Sequence, residues 1–84
     1  MKKGAYVYVL YSHKDGKRYT GYTKDLHRRL QMHMEGKVKS TRSRLPMELV
    51  YYEWYASETC ALRREKYLKS YYGKHYLKKR IQIQ

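Results

Sequence analysis

The chain has 84 residues, enough for one small domain near the lower limit of what a single hydrophobic core stabilises unaided. Its single cysteine, Cys60, excludes an intramolecular disulfide and a cysteine-rich zinc cluster, and it indicates a reducing compartment. Twenty Lys and Arg against seven Asp and Glu give a formal net charge of +13, which favours a polyanion, nucleic acid first, because each neutralised phosphate releases condensed counterions.

The N-terminal sequence does not favour export or membrane insertion. Its apolar run is only about five residues long, no cleavage-site pattern follows it, and no stretch approaches the roughly 18 apolar residues of a membrane span. A cytoplasmic protein is therefore predicted. Binding to an anionic membrane surface is a weaker alternative, because the predicted helices carry tyrosines and mixed polar faces.

A β-hairpin is predicted around the Asp-Gly pair at residues 15–16. The runs on either side, Val7–Tyr11 and Arg18–Tyr22, are rich in β-branched and aromatic residues. Asp-Gly between two such runs is among the strongest local signals for a hairpin. The hairpin would bring Tyr8 and Tyr19 onto neighbouring strands.

A first helix is predicted over about Lys24 to Glu35, with Thr23 as its N-cap and Gly36 directly after its end. Arg29 and His33 border the predicted inward face, an unfavourable place for two polar side chains unless they line a cleft. The apolar residues of that face are four positions apart: Leu26, Leu30 and Met34.

The segment from Lys37 to Arg44 is basic and rich in hydroxyl groups, has no apolar period, and is predicted to be a loop closed by Leu45 and Pro46. Two interpretations stay open: a solvated surface loop, or a loop that contacts phosphates. In the second interpretation Arg42 and Arg44 are the main phosphate contacts. The candidates for binding nucleic acid in the whole chain are Lys24, Lys39, Arg42 and Arg44.

A third strand is predicted over Met47 to Tyr55, with both faces partly covered. Simple alternation divides its residues between the two faces of the sheet. Leu49, Tyr51 and Glu53 are expected on one face; the other face would carry Val50, Tyr52 and Trp54.

A second helix is predicted over about Glu58 to Tyr72, capped by Ser57 and followed by Gly73. Glu65 lies on its predicted inward stripe, so its carboxylate requires either an ion pair with a nearby Arg or Lys, or a bound cation. Lys74 to Gln84 is predicted as a short terminal helix with a frayed end. The other residues of the stripe are Ala61, Leu62, Leu68 and Tyr72.

Three ordered elements of the chain resemble the GIY-YIG nuclease family. Val7-Tyr8 and, eleven residues after Tyr8, Tyr19-Thr20-Gly21 resemble the two triplets that name the family, with Tyr6-Val7 in place of Gly-Ile. The segment 20–33 is similar to the family's helix with an Arg and a His four apart, and residues 61–66 are similar to the helix that carries its metal-binding glutamate. The resemblance covers roughly residues 5–70 and is strongest to small single-domain members. It also extends to the N-terminal cleavage domain of the excinuclease that acts in DNA repair.

The resemblance implies a fold and a reaction. The fold is α/β in the broad sense (α+β): one domain over residues 1–84 with a small, mostly antiparallel three-stranded sheet and the order β-β-α-β-α-α. The reaction is hydrolysis of phosphodiesters with a single divalent metal, Mg²⁺ or Mn²⁺. DNA is the expected substrate, in structured or damaged form for repair or recombination; RNA is an alternative, and a protein partner for targeting is a further possibility.

The resemblance also implies roles for individual residues. The matching positions are Tyr8, Tyr19, Arg29 and His33 for catalysis, Glu65 for the metal, and Gly21 for the close approach of the backbone. Tyr8 would activate or position water with help from His33, because a free phenol titrates near about 10. Arg29 would contact the phosphate in the pentavalent state.

The chain departs from the family's pattern in its first triplet and in having no asparagine, so the Asn near the site of some family nucleases is missing. An extra DNA-binding domain is also missing from this sequence. Two alternatives therefore stand beside the nuclease: a catalytically silent nucleic-acid-binding module of the same fold, and a basic structural or ribosome-associated protein.

Overall fold

The computed structural model describes residues 4–82. The predicted order β-β-α-β-α-α is confirmed, with a short 3₁₀ turn before the third strand. The elements in chain order are β1 (Ala5–Ser12), β2 (Arg18–Thr23), α1 (Leu26–Met34), the turn Arg42–Arg44, β3 (Met47–Tyr55), α2 (Glu58–Leu68) and α3 (Tyr71–Arg80). None of the helices within residues 4–82 has the length and apolar character needed to cross a membrane.

The three strands form one antiparallel sheet, as predicted, and their order in the sheet is β2-β1-β3. The first strand is central, so its residues from Tyr6 to Tyr11 have a neighbour on both sides. Tyr8 lies between Gly21 on β2 and Tyr52 on β3. The position of β1 explains its composition, because a strand with neighbours on both sides and both faces covered is apolar along its length.

The predicted hairpin is confirmed, and its turn is held by short hydrogen bonds. Gly16 has φ +70°, a conformation that favours glycine, and its amide donates to the Ser12 carbonyl at 2.8 Å. The Ser12 hydroxyl accepts from the amides of Lys14 and Asp15 and donates to the Arg44 carbonyl at 2.6 Å. The turn is thereby tied to the loop that precedes β3.

Two apolar clusters cover the two faces of the sheet. One contains Ala5, Val7 and Val9 of β1 together with residues of α2 and α3. The other contains Tyr8, Leu10 and Met47, with Leu26 and Leu30 of α1 packed against it. Helix α1 therefore covers one face of the sheet, and helices α2 and α3 cover the other.

A β-bulge in β3 makes the simple alternation wrong. The partner of Val9 is Tyr51 and the partner of Leu10 is Leu49, so Val50 is an extra residue in the ladder. Val50 consequently packs in the same cluster as Tyr51, and Leu49 packs in the cluster of Tyr8. The prediction placed Leu49 and Val50 each on the wrong face of the sheet, because the alternation of a strand does not reveal an extra residue.

Helix α1 begins later than predicted. Its N-cap is Asp25, whose side chain accepts from the Arg28 amide at 3.1 Å, and Thr23 instead accepts from the Asp25 amide. The end at Gly36 is confirmed, with φ +74° at that glycine. Met34, predicted to point inward, is exposed, because the helix turns His33 toward the sheet instead.

The break between the last two helices lies earlier than predicted. The second helix ends at Leu68, and the third runs over Tyr71–Arg80; the predicted end at residues 83–84 lies outside the described residues. Ser70 caps α3 by accepting from the Gly73 amide at 3.3 Å, so the placement of Gly73 after a helix end was wrong. The break turns the chain, and Tyr72 is exposed on α3 instead of continuing an inward stripe. Leu62, also predicted to point inward, is exposed; Ala61 and Leu68 are buried as predicted.

An ion pair fixes the rotation of α2 against β3. Arg64 donates to both carboxylate oxygens of Glu53, with its Nε 2.9 Å from Oε1 and its Nη2 3.0 Å from Oε2. Tyr55 donates to the same carboxylate at 2.7 Å, and Tyr51 also donates to it. These bonds lower the pKa of Glu53 against the opposing effect of burial, so the carboxylate stays charged.

Candidate active site

The site is centred on Tyr8, the middle of the central strand. Its side chain is fully buried, and its hydroxyl lies 2.8 Å from Nε2 of His33 on α1. The partner of Tyr8 across the sheet is Gly21, where a Cβ would lie 2.5 Å from the Tyr8 hydroxyl oxygen. Only glycine at position 21 leaves room for the phenol, which explains why a flexible residue stands inside a strand.

His33 joins α1 to the basic loop. Its Nδ1 lies 2.7 Å from the hydroxyl of Thr41, and both side chains are fully buried. When Nδ1 carries the proton and donates it to Thr41, Nε2 is left as the acceptor for the Tyr8 hydroxyl. In this tautomer His33 can receive a proton from Tyr8.

Burial shifts the pKa values of Tyr8 and His33 in the directions that favour their neutral forms. It lowers the pKa of His33 to about 4, and the positive charge of Arg29 acts in the same direction. Burial also raises the pKa of the Tyr8 hydroxyl. Hydrogen bonding by Arg29 and its positive charge act in the opposite direction but do not cancel the rise. At neutral pH the pair is therefore an uncharged phenol and an uncharged imidazole.

The neutral state of His33 predicts a pH dependence of stability. Because its pKa is 6.5 unfolded and about 4 folded, the unfolded chain binds more protons between these values, and stability falls as the pH falls from 6.5 toward 4. At about 1.4 kcal/mol per pH unit the contribution is about 3 kcal/mol. Chemical denaturation of the wild type and His33→Gln at several pH values measures this contribution. The free energy of unfolding of the variant should depend less steeply on pH between 4 and 6.5. Parallel pH profiles of the two proteins would contradict the assignment.

Arg29 lies beside the phenol with an unused hydrogen-bond donor. Its Nε is buried and has no acceptor among residues 4–82. The neighbouring Tyr8 hydroxyl raises the pKa of the guanidinium, with a smaller effect in the same direction from Tyr19. A buried donor without an acceptor is costly, so it marks a place where a ligand oxygen would be favourable.

Tyr19 completes the group on the adjacent strand. Its ring centroid lies 6.5 Å from that of Tyr8 and 5.4 Å from that of His33. Unlike these two, Tyr19 is only partly buried. The four residues predicted for catalysis are therefore brought together, with Tyr19 and Arg29 as the partly exposed members.

Glu65, the residue predicted to bind the metal, lies on α2. Its carboxylate lies 3.0 Å from the ammonium group of Lys69, so the ordinary ion pair that the sequence left open does form. Its negative charge also contributes to the raised pKa of Tyr8, which places it within electrostatic range of the site. No group of three or more His, Cys, Asp or Glu within residues 4–82 could hold a metal ion. One carboxylate fits Mg²⁺, which binds through few protein ligands and keeps several waters.

The four basic residues predicted to bind nucleic acid have different environments. Lys39 and Arg42 are exposed. Arg44 is instead paired with Asp15, with its Nε 2.6 Å from Oδ2, and this pairing lowers the pKa of Asp15 to about 2. Lys24 lies 3.9 Å from the carboxylate of Glu58. The loop is also less solvated than a surface loop, because Val38 and Thr41 are buried in it.

The comparison with protein families decides which group the chain belongs to. The model of the GIY-YIG catalytic domain matches residues 4–80, nearly the whole chain. The chain belongs to the GIY-YIG family. Its fold is accordingly of the nuclease type, and nucleic acid is the class of substrate that such a domain implies.

Similar GIY-YIG chains occur among proteins named UPF0213. The chain is 47% identical over 70 residues to a UPF0213 protein of Streptococcus pneumoniae, covering 82% of this chain and 70% of that one. It is 43% identical over 74 residues to one of Staphylococcus epidermidis, covering 87% and 89%. The solution NMR structure of a UPF0213 protein from Bacillus halodurans matches with a TM-score of 0.55 at 43% identity, covering 88% of this chain and 81% of that one.

Thr41 is the member of this GIY-YIG site that the sequence did not predict. It stands in a run of Ser, Thr and Arg that resembles a surface loop, and its neighbours Ser40 and Arg42 are exposed. Its contact with His33 depends on how the loop folds back over α1. Val38, the one apolar residue of the segment, was the available signal, because its burial directs this part of the loop inward.

Proposed function

We propose that this protein is a divalent-metal-dependent endonuclease that hydrolyses phosphodiester bonds in DNA. One observation carries the proposal: the hydrogen-bonded series Tyr8–His33–Thr41 lies beside Arg29, a guanidinium whose buried Nε has no acceptor within residues 4–82. A proton acceptor and an anion-binding group thus converge on one point, as hydrolysis of a phosphodiester requires.

Arg29 stabilises the phosphate as it becomes pentavalent. Its guanidinium stays charged at every relevant pH and presents donors in a planar fork that fits two phosphate oxygens. The substrate supplies the acceptor that Nε lacks, so the favourable interaction is made with the ligand and not within the protein. Negative charge on the equatorial oxygens grows during the reaction. The interaction of these oxygens with the guanidinium is therefore stronger in the transition state than in the bound substrate.

Tyr8 and His33 move the proton of the attacking water. As the water oxygen bonds to phosphorus, its proton passes to the Tyr8 oxygen, and the Tyr8 hydroxyl proton passes to Nε2 of His33. The bond from phosphorus to the leaving oxygen breaks at the same time. His33 is available as the acceptor because it is uncharged at neutral pH, and because Nε2 is free to take the proton when the other nitrogen donates to Thr41.

Access to Tyr8 requires movement of its partly exposed neighbours. Tyr8 is fully buried, so water and phosphate reach its hydroxyl only when Tyr19 and Arg29 rearrange around the substrate. Tyr19 then orients the water or a phosphate oxygen through its own hydroxyl. Gly21 keeps the space beside the phenol free of a side chain.

Glu65 would hold the metal, with water and a substrate oxygen as the remaining ligands. A metal ion bound there supplies stabilisation of the charge on the leaving oxygen. The ammonium group of Lys69 lies 3.0 Å from Oε2 of Glu65, so a metal ion at Glu65 would compete with this ion pair.

The charge of the protein supports DNA as the substrate and leaves RNA as an alternative. Lys39 and Arg42 are free to contact phosphates near the site, whereas Lys24 and Arg44 must first leave their carboxylate partners. A small domain with few such contacts favours a substrate that is already bent, branched or damaged, or a protein partner that delivers it.

A cleavage assay tests the function. Purified protein is incubated with Mg²⁺ or Mn²⁺ and labelled single-stranded, duplex, flap and junction DNA. Tyr8→Phe, which keeps the ring and removes the hydroxyl, is purified identically and is expected to cut at least about 10²-fold more slowly. Thermal unfolding of both proteins verifies that the variant is folded. Equal rates for the two folded proteins would mean that a contaminant cuts or that Tyr8 has no catalytic role.

The complete burial of Tyr8 favours a second candidate, a nucleic-acid-binding module that does not cut. Such a protein would keep Tyr8 and His33 as a structural hydrogen bond and never open the site. It would bind nucleic acid with a steep dependence on salt, and it would cut none of the four DNA substrates with either metal. Cleavage by the wild type but not by Tyr8→Phe would exclude it.

A further inference from the structure

We propose that the groove between the hairpin and α3 binds an unpaired DNA strand that continues from the cleavage site. The inference rests on the proposed function for its substrate and extends it to a second surface of the protein. The groove has a volume of about 840 Å³. It is lined by the hairpin turn, by β2, by the end of α2 and by α3.

The charged residues of the groove are all basic. Five of its twelve lining residues are cations and none is acidic: Lys17, Arg18, Lys69, Lys74 and Lys78. A concave surface lined by a single sign of charge concentrates the field and attracts ions of the opposite sign. The occupant with matching chemistry is a chain of phosphates.

Four of these cations have no carboxylate partner within 4.0 Å in the part of the chain that the structure describes: Lys17, Arg18, Lys74 and Lys78. The fifth, Lys69, pairs with Glu65. Lys24 and Arg44, predicted from the sequence as phosphate contacts, are both in ion pairs. An unpaired lysine can neutralise a phosphate without first breaking an internal contact. The groove is therefore better prepared for a polyanion than those two predicted positions are.

The groove and the candidate active site lie on opposite faces of the sheet and share its edge strand, β2. Tyr19 lines the groove and lies 6.5 Å from Tyr8 between ring centroids. Lys69 lines it as well and pairs with Glu65 at 3.0 Å. A strand whose phosphate lies at Arg29 would cross the edge of β2 past Tyr19 and Lys69 to enter the groove.

The apolar part of the groove favours an unpaired strand over a duplex. Leu68, Leu77 and Ile81 line it, and so do Tyr11 and Tyr19. Unpaired bases expose flat apolar faces that pack against aliphatic and aromatic side chains, while their phosphates stay with the cations. In a duplex these faces are stacked inside and do not reach such a surface.

Binding measurements without metal test the groove independently of cleavage. Fluorescence anisotropy compares a blunt duplex with the same duplex carrying a single-stranded overhang. The wild type is measured beside Lys74→Gln/Lys78→Gln, which removes two groove cations. The matched control is Lys66→Gln/Lys79→Gln, which removes the same charge from exposed residues of α2 and α3 that do not line the groove.

The wild type and the control are expected to bind the overhang duplex more tightly than the blunt duplex. The groove variant should lose this preference, and its slope of log affinity against log salt for the overhang should fall by about 1.4, because each contact to a single strand contributes about 0.7. Equal loss in both double variants, or a groove variant that weakens blunt and overhang duplexes alike, would overturn the proposal.

The two proposals fail in different ways. If the overhang preference depends on the groove but no substrate is cut with either metal, the nuclease fails and the groove stands. If the wild type cuts and the groove variant binds like the wild type, the groove fails and the nuclease stands.

Discussion

Replacing Arg29 by Lys is expected to slow DNA cleavage by about 10²–10³-fold in a protein that remains folded. The lysine keeps one positive charge but loses the planar fork and the buried Nε, so it cannot contact two phosphate oxygens of the pentavalent state. Stability should not fall, because Nε has no acceptor within residues 4–82 and its burial costs about 1–3 kcal/mol. Single-turnover cleavage and thermal unfolding measure the two effects.

Arg28→Lys is the matched control for this prediction. Arg28 precedes Arg29 on the same helix and is exposed, so its replacement should leave the cleavage rate unchanged. If Arg29→Lys cut as fast as Arg28→Lys, the guanidinium would have no part in the transition state. A large loss of stability in Arg29→Lys would instead identify Arg29 as a structural residue.

Gly73→Ala is expected to be the most damaging conservative change to the fold. A Cβ at this position would overlap the carbonyl oxygen of Tyr67 and the Cα of Leu68. Both are backbone atoms, so the clash cannot be relieved by rotating a side chain. The higher helix propensity of Ala offsets about 1 kcal/mol, and a net loss of about 2 kcal/mol or more remains. The melting temperature should fall by about 10 °C, as measured by circular dichroism.

Lys79→Ala on the same helix separates the clash from helix propensity. Its side chain is exposed, so only propensity and a surface charge change, and the melting temperature should move by a few degrees at most. A Gly73→Ala protein at least as stable as the wild type would show that α2 and α3 can separate at this point. The close packing of the two helices would then not hold α3 in place.

Local signals in the sequence were sufficient for most of the fold. The Asp-Gly pair predicted the hairpin, and the run of Tyr, Val and Trp predicted β3 over Met47–Tyr55 with its observed bounds. The errors arose where two elements meet. The bulge at Val50 depends on how β3 pairs with β1. The break between α2 and α3 lies at the N-cap Ser70, whereas Gly73 resembles the usual residue after a helix end and led to a later break.

The candidate site was predicted from motifs more than from physical chemistry. Spacing along α1 put Arg29 and His33 at the border of the inward face, and the hairpin put Tyr8 and Tyr19 on adjacent strands. Neither argument could find Thr41, because its contact with His33 joins a loop to a helix that lies earlier in the chain. The ion-pair partners of Glu65 and Arg44 could not be predicted from the sequence either, since an ion pair depends on distances that a sequence does not contain.

The topology of the sheet has a consequence for the order in which the site forms. Tyr8, Tyr19 and Gly21 all belong to one hairpin, whereas the pairing of β1 with β3 joins residues as distant as Ala5 and Tyr55. Closing the short loop costs less entropy, so the hairpin can form first, including on a chain that is still being synthesised. A slip of one residue in that early step would turn Tyr8 to the opposite face of the sheet. The accuracy of the later site is therefore decided by the earliest and most local contacts of the chain.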